Sequence, residues 1–251
     1  MFGIIRVNKI FERIIQILFK LIGIGWGGRR TVSSEIKYVK SIIKNGSIFI
    51  DCGGNIGNYS KEIIKNFNDP EIHVFEPSSK NIGILRKRFV NNNRIKINNI
   101  GLSDKNSEAI LFSDESGSAL ASLSKRKLYH LDIDFNVEEK IKLIKFKDYW
   151  SEKIKAEFID LFKIDVEGHE LDVLKGIGKK ISNIKLIQFE FGGCNIDTRT
   201  FFQDFWYFFN KHNFRIFRIS PLGLIELSEY KEIYESFTTT NFLCVNNNFK
   251  N

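Results

Sequence analysis

The sequence predicts a single α/β domain built on a parallel, doubly wound sheet. Short apolar runs rich in β-branched residues alternate with amphipathic stretches through much of the chain, as in strand–helix–strand units. Several of these runs end in a carboxylate or a polar turn, and the first ends in a glycine-rich turn. The 251 residues are 43% hydrophobic and 27% charged, which suffices for one large core.

The first half of the chain alternates regularly between helix and strand. Helical spacing of apolar residues and short apolar runs follow one another, with turn residues between them. In order, we expect helix 33–44, strand 47–52, helix 57–67, strand 71–77, helix 78–90 and strand 94–100.

The alternation then breaks, and residues at about 105–146 are predicted to form an insertion over the active-site face. Two strand-like runs flank a polar stretch there, and substrate loops of α/β proteins lie at such positions. We assign residues 31–251 to one domain, since no repeat or linker interrupts them. The later elements are helix 147–155, strand 158–164, a helix after residue 169, strand 184–191, an aromatic helix at 198–212, and strands 214–219 and 241–245.

Residues 1–30 form a basic amphipathic segment. The longest uncharged piece, residues 21–28, is too short to span a membrane, and no secretory cleavage site follows it. Such a helix could contact an acidic membrane surface, pack on the domain, or pack on a second subunit to form a homodimer. We expect packing, with peripheral contact at the inner face of the membrane as the alternative.

Charge and cysteine content limit the partners and the compartment. The net charge of +8 favours anionic partners, although heavy use of lysine along the whole chain explains it as well. No feature indicates nucleic-acid binding. The three cysteines are far apart and match neither a disulfide framework nor a metal motif, so we expect a cytoplasmic protein.

The glycine-rich turn predicts a nucleotide-type cradle. Asp51 ends the first strand, and Gly53, Gly54, Asn55 and Gly57 follow at the start of a helix. Glycine permits positive φ and close approach of a ligand to the backbone, and asparagine tolerates the left-handed region. Dinucleotide turns follow G-x-G-x-x-G. The chain supplies only the first of these three glycines, which argues against a pyrophosphate.

Acidic side chains at neighbouring strand ends favour a cationic ligand. Glu76 lies 25 residues after Asp51, near the separation expected for an acid that binds ribose hydroxyls. Asp104 and Asp165 end two further strands. Carboxylates around the sulfonium and ammonium groups of S-adenosylmethionine are electrostatically favourable, whereas carboxylates around a pyrophosphate are not.

Four segments in this order resemble the FkbM-type S-adenosylmethionine-dependent methyltransferases. These segments are residues 51–57, residues 74–77 with Asn81, residues 101–104, and residues 161–171 continuing to Gly176. The resemblance covers residues at about 45–195. It implies a Rossmann-like class I methyltransferase fold, with a seven-stranded, mostly parallel sheet, helices on both faces and an antiparallel last strand. It also implies O-methylation of a sugar, a glycan or another small-molecule acceptor.

Each motif receives an expected role in cofactor binding. Glu76, with Pro77 beside it, is expected to hold both ribose hydroxyls, and the glycines to approach the methionine portion. Asp51 is expected to anchor the turn or the ligand's amino group. Ser103 and Asp104 are expected at the adenine edge, with a self-capped Ser-Asp turn as the alternative.

Asp165 is the predicted general base, since methyl transfer to a hydroxyl requires loss of a proton. Glu167 and His169 could substitute for it. Glu167 could instead only complement a helix N-terminus, and His169 could be a surface histidine. Glu190 is a further pocket candidate. No metal is expected, because the spacing is not H-E-x-x-H and no second histidine lies near.

Two other functions remain open from the sequence. A nicotinamide-dependent oxidoreductase would use the same kind of strand–turn–helix unit, but its glycine spacing is absent here. A ligand-binding protein without turnover would retain the fold and lose the chemistry.

Overall fold

The computed structural model describes residues 2–28 and 30–249, with side chains from Asn8 onward. The helices are α1 (Phe2–Leu21), α2 (Val32–Ile42), α3 (Asn58–Asn66), α4 (Ser79–Arg88), α5 (Phe146–Lys153), α6 (Glu170–Ile177), α7 (Cys194–Thr198) and α8 (Phe202–Lys211). The strands are β1 (Ile48–Cys52), β2 (Glu71–Phe75), β3 (Ile95–Asn98), β4 (Gly101–Leu102), β5 (Ser107–Ser113), β6 (Val137–Ile144), β7 (Ile159–Ile164), β8 (Ile184–Phe191), β9 (Phe214–Ser220), β10 (Gly223–Leu227) and β11 (Thr240–Asn246).

The main sheet has eight strands in the order β10-β9-β11-β8-β7-β1-β2-β3. Strands β3, β2, β1, β7 and β8 run parallel to one another. The last strand, β11, is antiparallel to both of its neighbours, β8 and β9. The α/β class and the antiparallel last strand are therefore confirmed.

The expected count of seven strands is one too low. The additional strand, β10, pairs antiparallel with β9 after a tight turn at Pro221 and Leu222. Without this hairpin β9 would be the edge of the sheet, and an unpaired edge exposes backbone donors and acceptors. A short strand at the edge has a weak sequence signal, which is why residues 223–227 were not assigned.

Strand β1 is the point at which the chain changes direction across the sheet. It pairs with β2 on one side and with β7 on the other, and Asp51 lies opposite Lys163. The carboxyl ends of parallel strands flanking such a point form a crevice, which is the usual ligand site of open α/β sheets. This arrangement brings the glycine-rich turn next to residues 163–165.

Helices cover both faces of the sheet, and alternate residues of β1 belong to different cores. Phe49 packs in a cluster with residues of α2, α3 and α4, whereas Ile50 packs in a cluster with residues of α5, α6 and α8. Four aromatic residues of α8 are core residues: Phe202, Phe205, Trp206 and Phe209. Phe205 stacks on Phe189, with ring centroids 4.7 Å apart.

The region at 105–146 forms most of a second, three-stranded sheet in the order β4-β6-β5. Strand β3 ends at Asn98, earlier than expected, and Gly101 and Leu102 pair with β6 instead. The long connection between β5 and β6 extends to the carboxyl ends of the main sheet, and its residues 118–123 line a cavity there.

Helix α1 extends away from the domain. From Asn8 to Ile22 every side chain except the half-buried Phe19 is exposed, so the expected packing on the domain is not observed. After the helix, Ile24 is buried and the amide of Gly25 donates to the carbonyl of Thr239. Among the described residues, no helix has the length and hydrophobicity of a membrane span.

Candidate active site

A cavity of about 440 Å³ lies over the carboxyl ends of β1, β2 and β7. This volume is within the range of small-molecule and cofactor sites, roughly 300–1,000 Å³. The glycine-rich turn forms its floor. One wall is apolar and includes Leu102, Leu111 and Leu143, which belong to the three strands of the second sheet. Another wall is acidic. The cavity therefore has an apolar side and an acidic side.

The glycine-rich turn has the backbone that the sequence predicts. Gly53 and Gly57 have φ of +79° and +82°, and Asn55 has φ of +47°. The amides of Gly53 and Gly54 both donate to the carbonyl of Phe75, which ties the turn to β2. A Cβ at Gly53 would lie 1.7 Å from the carbonyl oxygen of Asp165. Only glycine lets the turn pack against the end of β7.

Glu76 is buried beside this turn, and backbone donors hold its carboxylate. Oε2 accepts from the amide of Asn55 at 2.8 Å, and Oε1 from the amide of Ser78 at 2.9 Å. Burial raises the pKa of Glu76, and these hydrogen bonds oppose the rise. Glu76 and Pro77 line the cavity. A carboxylate oxygen has the capacity to accept more than one hydrogen bond, so both remain able to accept from a ligand's hydroxyls.

Asp51 lies beneath the turn and not on the cavity wall. It is fully buried, and its Oδ2 accepts from the hydroxyl of Ser60 at 2.6 Å. Its Oδ1 has no hydrogen-bond partner in the described structure and lies 3.9 Å from Nζ of Lys163. Of the two roles expected for Asp51, this position favours anchoring the turn over direct contact with a ligand.

Lys163 is a functional candidate that the sequence analysis missed. It lines the cavity, and its Nζ lies 2.9 Å from Oδ2 of Asp165 and 5.2 Å from the ring centre of Tyr59. Burial lowers the pKa of Lys163, but the charges of Asp165 and Asp51 outweigh burial and raise it above its usual value. Lys163 is therefore a permanent cation. The sequence did contain a signal for it, because Lys163 is a charged residue within the mostly apolar run that forms the buried strand β7.

A buried hydrogen-bonded chain was also missed. The hydroxyl of Tyr59 donates to Oε1 of Gln188 at 2.6 Å, and Nε2 of Gln188 donates to Oε2 of Glu35 at 2.7 Å. Glu35 and Tyr59 line the cavity beside Lys163. Burial raises the pKa of Glu35. These residues come from α2, α3 and β8, so no local pattern in the sequence connects them.

Three carboxylates meet on the acidic wall. Oxygens of Asp165, Glu167 and Glu190 all lie within 4.8 Å of one another. Burial, with the charge of Asp165, raises the pKa of Glu167 to about 8, although Nη1 of Arg126 lies 2.8 Å from its Oε2. Burial raises the pKa of Glu190 well above its usual value, and the charges of nearby carboxylates, Asp165 first among them, act in the same direction. Close carboxylates do not all ionise together.

His169 lies on the cavity wall between two partners. Its Nδ1 is 3.1 Å from Oδ2 of Asp172, and its Nε2 is 3.0 Å from the hydroxyl of Ser124. The contact with Asp172 orients the ring, and that with Ser124 joins α6 to the loop between β5 and β6. The predicted catalytic residues Asp165, Glu167 and His169 are thus brought to one wall, together with Glu190.

Ser103 and Asp104 are not brought to the cavity wall, contrary to the expected contact with adenine. Gly101 and Leu102 line the cavity instead. The chain at Ser103 packs against α6, where a Cβ at Gly176 would lie 2.0 Å from the Ser103 carbonyl oxygen. The Ser103 hydroxyl donates to Oδ1 of Asp104 at 3.3 Å, as in a self-capped turn. The early end of β3 is the physical reason.

The acidic wall also has the geometry of a cation site. Its three carboxylates could each offer one oxygen to the same ion. Arg126 already partners one of them, Glu167. The expectation that no metal takes part stays a prediction.

Comparison with known proteins identifies the family. The model for the methyltransferase FkbM domain matches residues 51–216, more than half of the chain. The chain belongs to the FkbM methyltransferase family. The matched range begins at Asp51 and includes the turn, Glu76 and the acidic wall. The resemblance inferred from the sequence motifs is confirmed.

Individual relatives are distant. Methyltransferase 1 of the fungus Beauveria bassiana (strain ARSEF 2860) is 21% identical over 145 residues, covering 52% of this chain and 58% of that protein. The chain thus spans little more than half the length of this curated relative. A putative rRNA methylase structure from Clostridium thermocellum has a TM-score of 0.50 at 9% identity, covering 86% of this chain and 94% of the other. This likeness supports the fold alone.

The family model describes a methyltransferase domain, and the residues present fit S-adenosylmethionine as its cofactor. The turn around Gly53 has no room for a side chain and leaves its backbone bare. Glu76 presents two carboxylate oxygens beside it, as a pair of ribose hydroxyls requires. Leu102 and Leu143 offer an apolar surface suited to the adenine ring of the cofactor. When bound, the cofactor supplies an electrophilic methyl group on a sulfonium.

Proposed function

We propose that the chain methylates a hydroxyl group of a sugar, a glycan or another small hydroxylated molecule. The observation that carries the proposal is the cluster of Asp165, Glu167 and Glu190 on the cavity wall, with the glycine-rich turn on the floor. Hydroxyl groups are hydrogen-bond donors, and carboxylates are the side chains best suited to accept from several of them.

Asp165 is the proposed general base. The pKa of Glu167 is raised to about 8, so at neutral pH this carboxyl group favours its protonated form, which cannot take a proton. The pKa of Glu190 is shifted in the same direction. Nζ of Lys163 donates a hydrogen bond to Oδ2 of Asp165 at 2.9 Å, which fixes the orientation of this side chain. Asp165 follows β7 directly and lines the cavity beside the turn, so a hydroxyl held there would be near both base and methyl donor.

The charge around Asp165 also supports the class of acceptor. A phosphate-rich acceptor such as a nucleic acid would have to compete with Asp165 and Glu167 for the nearby cations Lys163 and Arg126. A neutral polyol would not. Protonated Glu167 would add a hydrogen-bond donor to the same wall, which suits an acceptor with several hydroxyls.

The proposed compartment is the cytoplasm. All three cysteines are free and buried, which supports a reducing environment.

The direct test is transfer of a labelled methyl group from S-adenosylmethionine to extracted glycans, lipid-linked sugars and RNA. Asp165→Asn is expected to lower kcat by about 10²–10⁴, the usual contribution of a general base, and to keep the affinity for S-adenosylhomocysteine. Asp69→Asn, on an exposed turn, is the matched control and should leave both unchanged.

Two results would contradict the proposal. Label found in RNA and absent from hydroxyl-bearing glycans and small molecules would overturn the acceptor class. Full turnover of Asp165→Asn would remove Asp165 as the base.

A further inference from the structure

Helix α1 carries an apolar stripe that nothing in the described structure covers. Eight of the 18 large hydrophobic side chains that are exposed in the described residues lie within residues 10–22. Ile10, Ile17 and Leu18 are 58%, 60% and 54% exposed. Isolated surface hydrophobics are common, but a contiguous stripe of this kind marks an interaction surface.

The stripe occupies one side of the helix. Ile10, Ile14, Ile17 and Leu21 recur at spacings of three and four residues. With 3.6 residues per turn, the exposed apolar positions from Ile10 to Leu21, which exclude the half-buried Phe19, span about 160° of arc. In a helix of a globular domain such an arc faces the core. Here it faces outward.

The opposite side of α1 is basic. Lys9, Arg13 and Lys20 lie within about 40° of one another on the helical projection. Glu12 is the one acidic residue of the helix, and the whole chain has a net charge of +8. A helix that combines a broad apolar face with a basic face is typical of segments that lie in the plane of an anionic membrane surface.

The end of the helix is fixed to the domain beside the cavity. Helix α1 ends at Leu21, and the residues that line the cavity begin only four positions later, with Gly25, Gly27 and Gly28. The connection is held firmly, because Ile24 is buried and a Cβ at Gly23 would lie 2.2 Å from the carbonyl oxygen of Ile219. Whatever surface α1 contacts is therefore close to the active site.

We propose that α1 is an interfacial helix that docks the enzyme on an anionic lipid bilayer. The apolar stripe inserts at the level of the acyl chains near the surface. The basic side chains interact with anionic headgroups, with their aliphatic stems extending along the interface. Docking holds the cavity next to the membrane surface. The proposal does not depend on the identity of the methyl acceptor.

The test is cosedimentation of the full chain with two kinds of vesicle: phosphatidylcholine alone, and equal parts of phosphatidylcholine and phosphatidylglycerol. We expect binding to the anionic vesicles that weakens with salt. Ile14→Glu with Ile17→Glu should abolish it. Lys9→Gln, Arg13→Gln and Lys20→Gln together should lower the affinity by roughly 100-fold at low salt.

The matched control is Val90→Glu with Leu222→Glu. These aliphatic side chains are 75% and 77% exposed and lie outside α1, so vesicle binding should not change. All variants should keep the wild-type affinity for S-adenosylhomocysteine, which separates loss of docking from loss of fold.

Two outcomes would overturn the proposal. In the first, the wild-type chain stays in the supernatant when it is mixed with anionic vesicles. This outcome includes the case in which α1 instead holds a dimer together and Ile14→Glu with Ile17→Glu dissociates that dimer. In the second, those exchanges leave vesicle binding intact.

Discussion

Glu167 sits between opposing electrostatic influences. Arg126 pairs with it at 2.8 Å, while burial and the nearby charge of Asp165 act in the opposite direction and prevail. Its backbone is also unusual for a non-glycine residue, with φ of +53°. Strained backbone and a perturbed carboxyl group in a cavity are both typical of functional sites.

The raised pKa of Glu167 predicts how stability depends on pH. The folded-state pKa is about 8, above the value of ~4.3 for an unfolded glutamate. The unfolded chain therefore loses this proton first. The stability that Glu167 contributes is fully present below pH ~4 and is lost as the pH rises toward 8.

Melting temperatures between pH 5 and 9 provide the measurement. The wild-type Tm is expected to fall by several degrees across this window, and Glu167→Gln should fall less because it cannot ionise. Glu152→Gln, on an exposed face of α5, should behave as wild type. Equal slopes for wild type and Glu167→Gln would contradict the assignment.

At the scale of elements, the turn between β1 and α3 determines the geometry of the site. Its amides bond to Phe75, its glycine faces Asp165, and its Asn55 amide bonds to Glu76. One turn thus joins the ends of three strands. A change in its backbone should disturb all three.

Substitution of two glycines by alanine tests this. Gly53→Ala is expected to destabilise the fold by about 3 kcal/mol or more, because φ is positive and the new Cβ would collide with backbone. Gly83→Ala, in the middle of α4 with open space around it, should stabilise by about 0.5–1 kcal/mol. Urea denaturation measures both. Similar effects of the two changes would mean that the turn is not constrained in this way.

Local patterns predicted the elements that have strong local signals. The turn at residues 53–57 and Glu76 at the end of its strand were identified, because each depends on neighbours in sequence. Ser103 and Asp104 do not line the cavity, because Gly101 and Leu102 pair with β6 and Ser103 packs against α6, and these contacts are distant in sequence. Strand β10 was missed, because its pairing with β9 has only a short signal.

At the scale of the whole molecule, the cavity is formed where two sheets meet. The main sheet supplies the turn and the carboxylates, and the second sheet with its loop supplies the apolar wall. Tertiary contacts of this kind also create the chain of Glu35, Gln188 and Tyr59. The sequence could place an insertion over the site but could not reveal which of its side chains would reach the cavity.

We expect the cavity to hold S-adenosylmethionine with Glu76 on the ribose. Titration calorimetry with S-adenosylhomocysteine tests it on wild type, Glu76→Gln and the control Glu71→Gln at the other end of β2. We expect one site per chain, a Kd at least about tenfold weaker for Glu76→Gln, an unchanged Kd for Glu71→Gln, and no binding of NAD. Equal affinity of wild type and Glu76→Gln would contradict the role of Glu76, and binding of NAD in place of S-adenosylhomocysteine would contradict the cofactor.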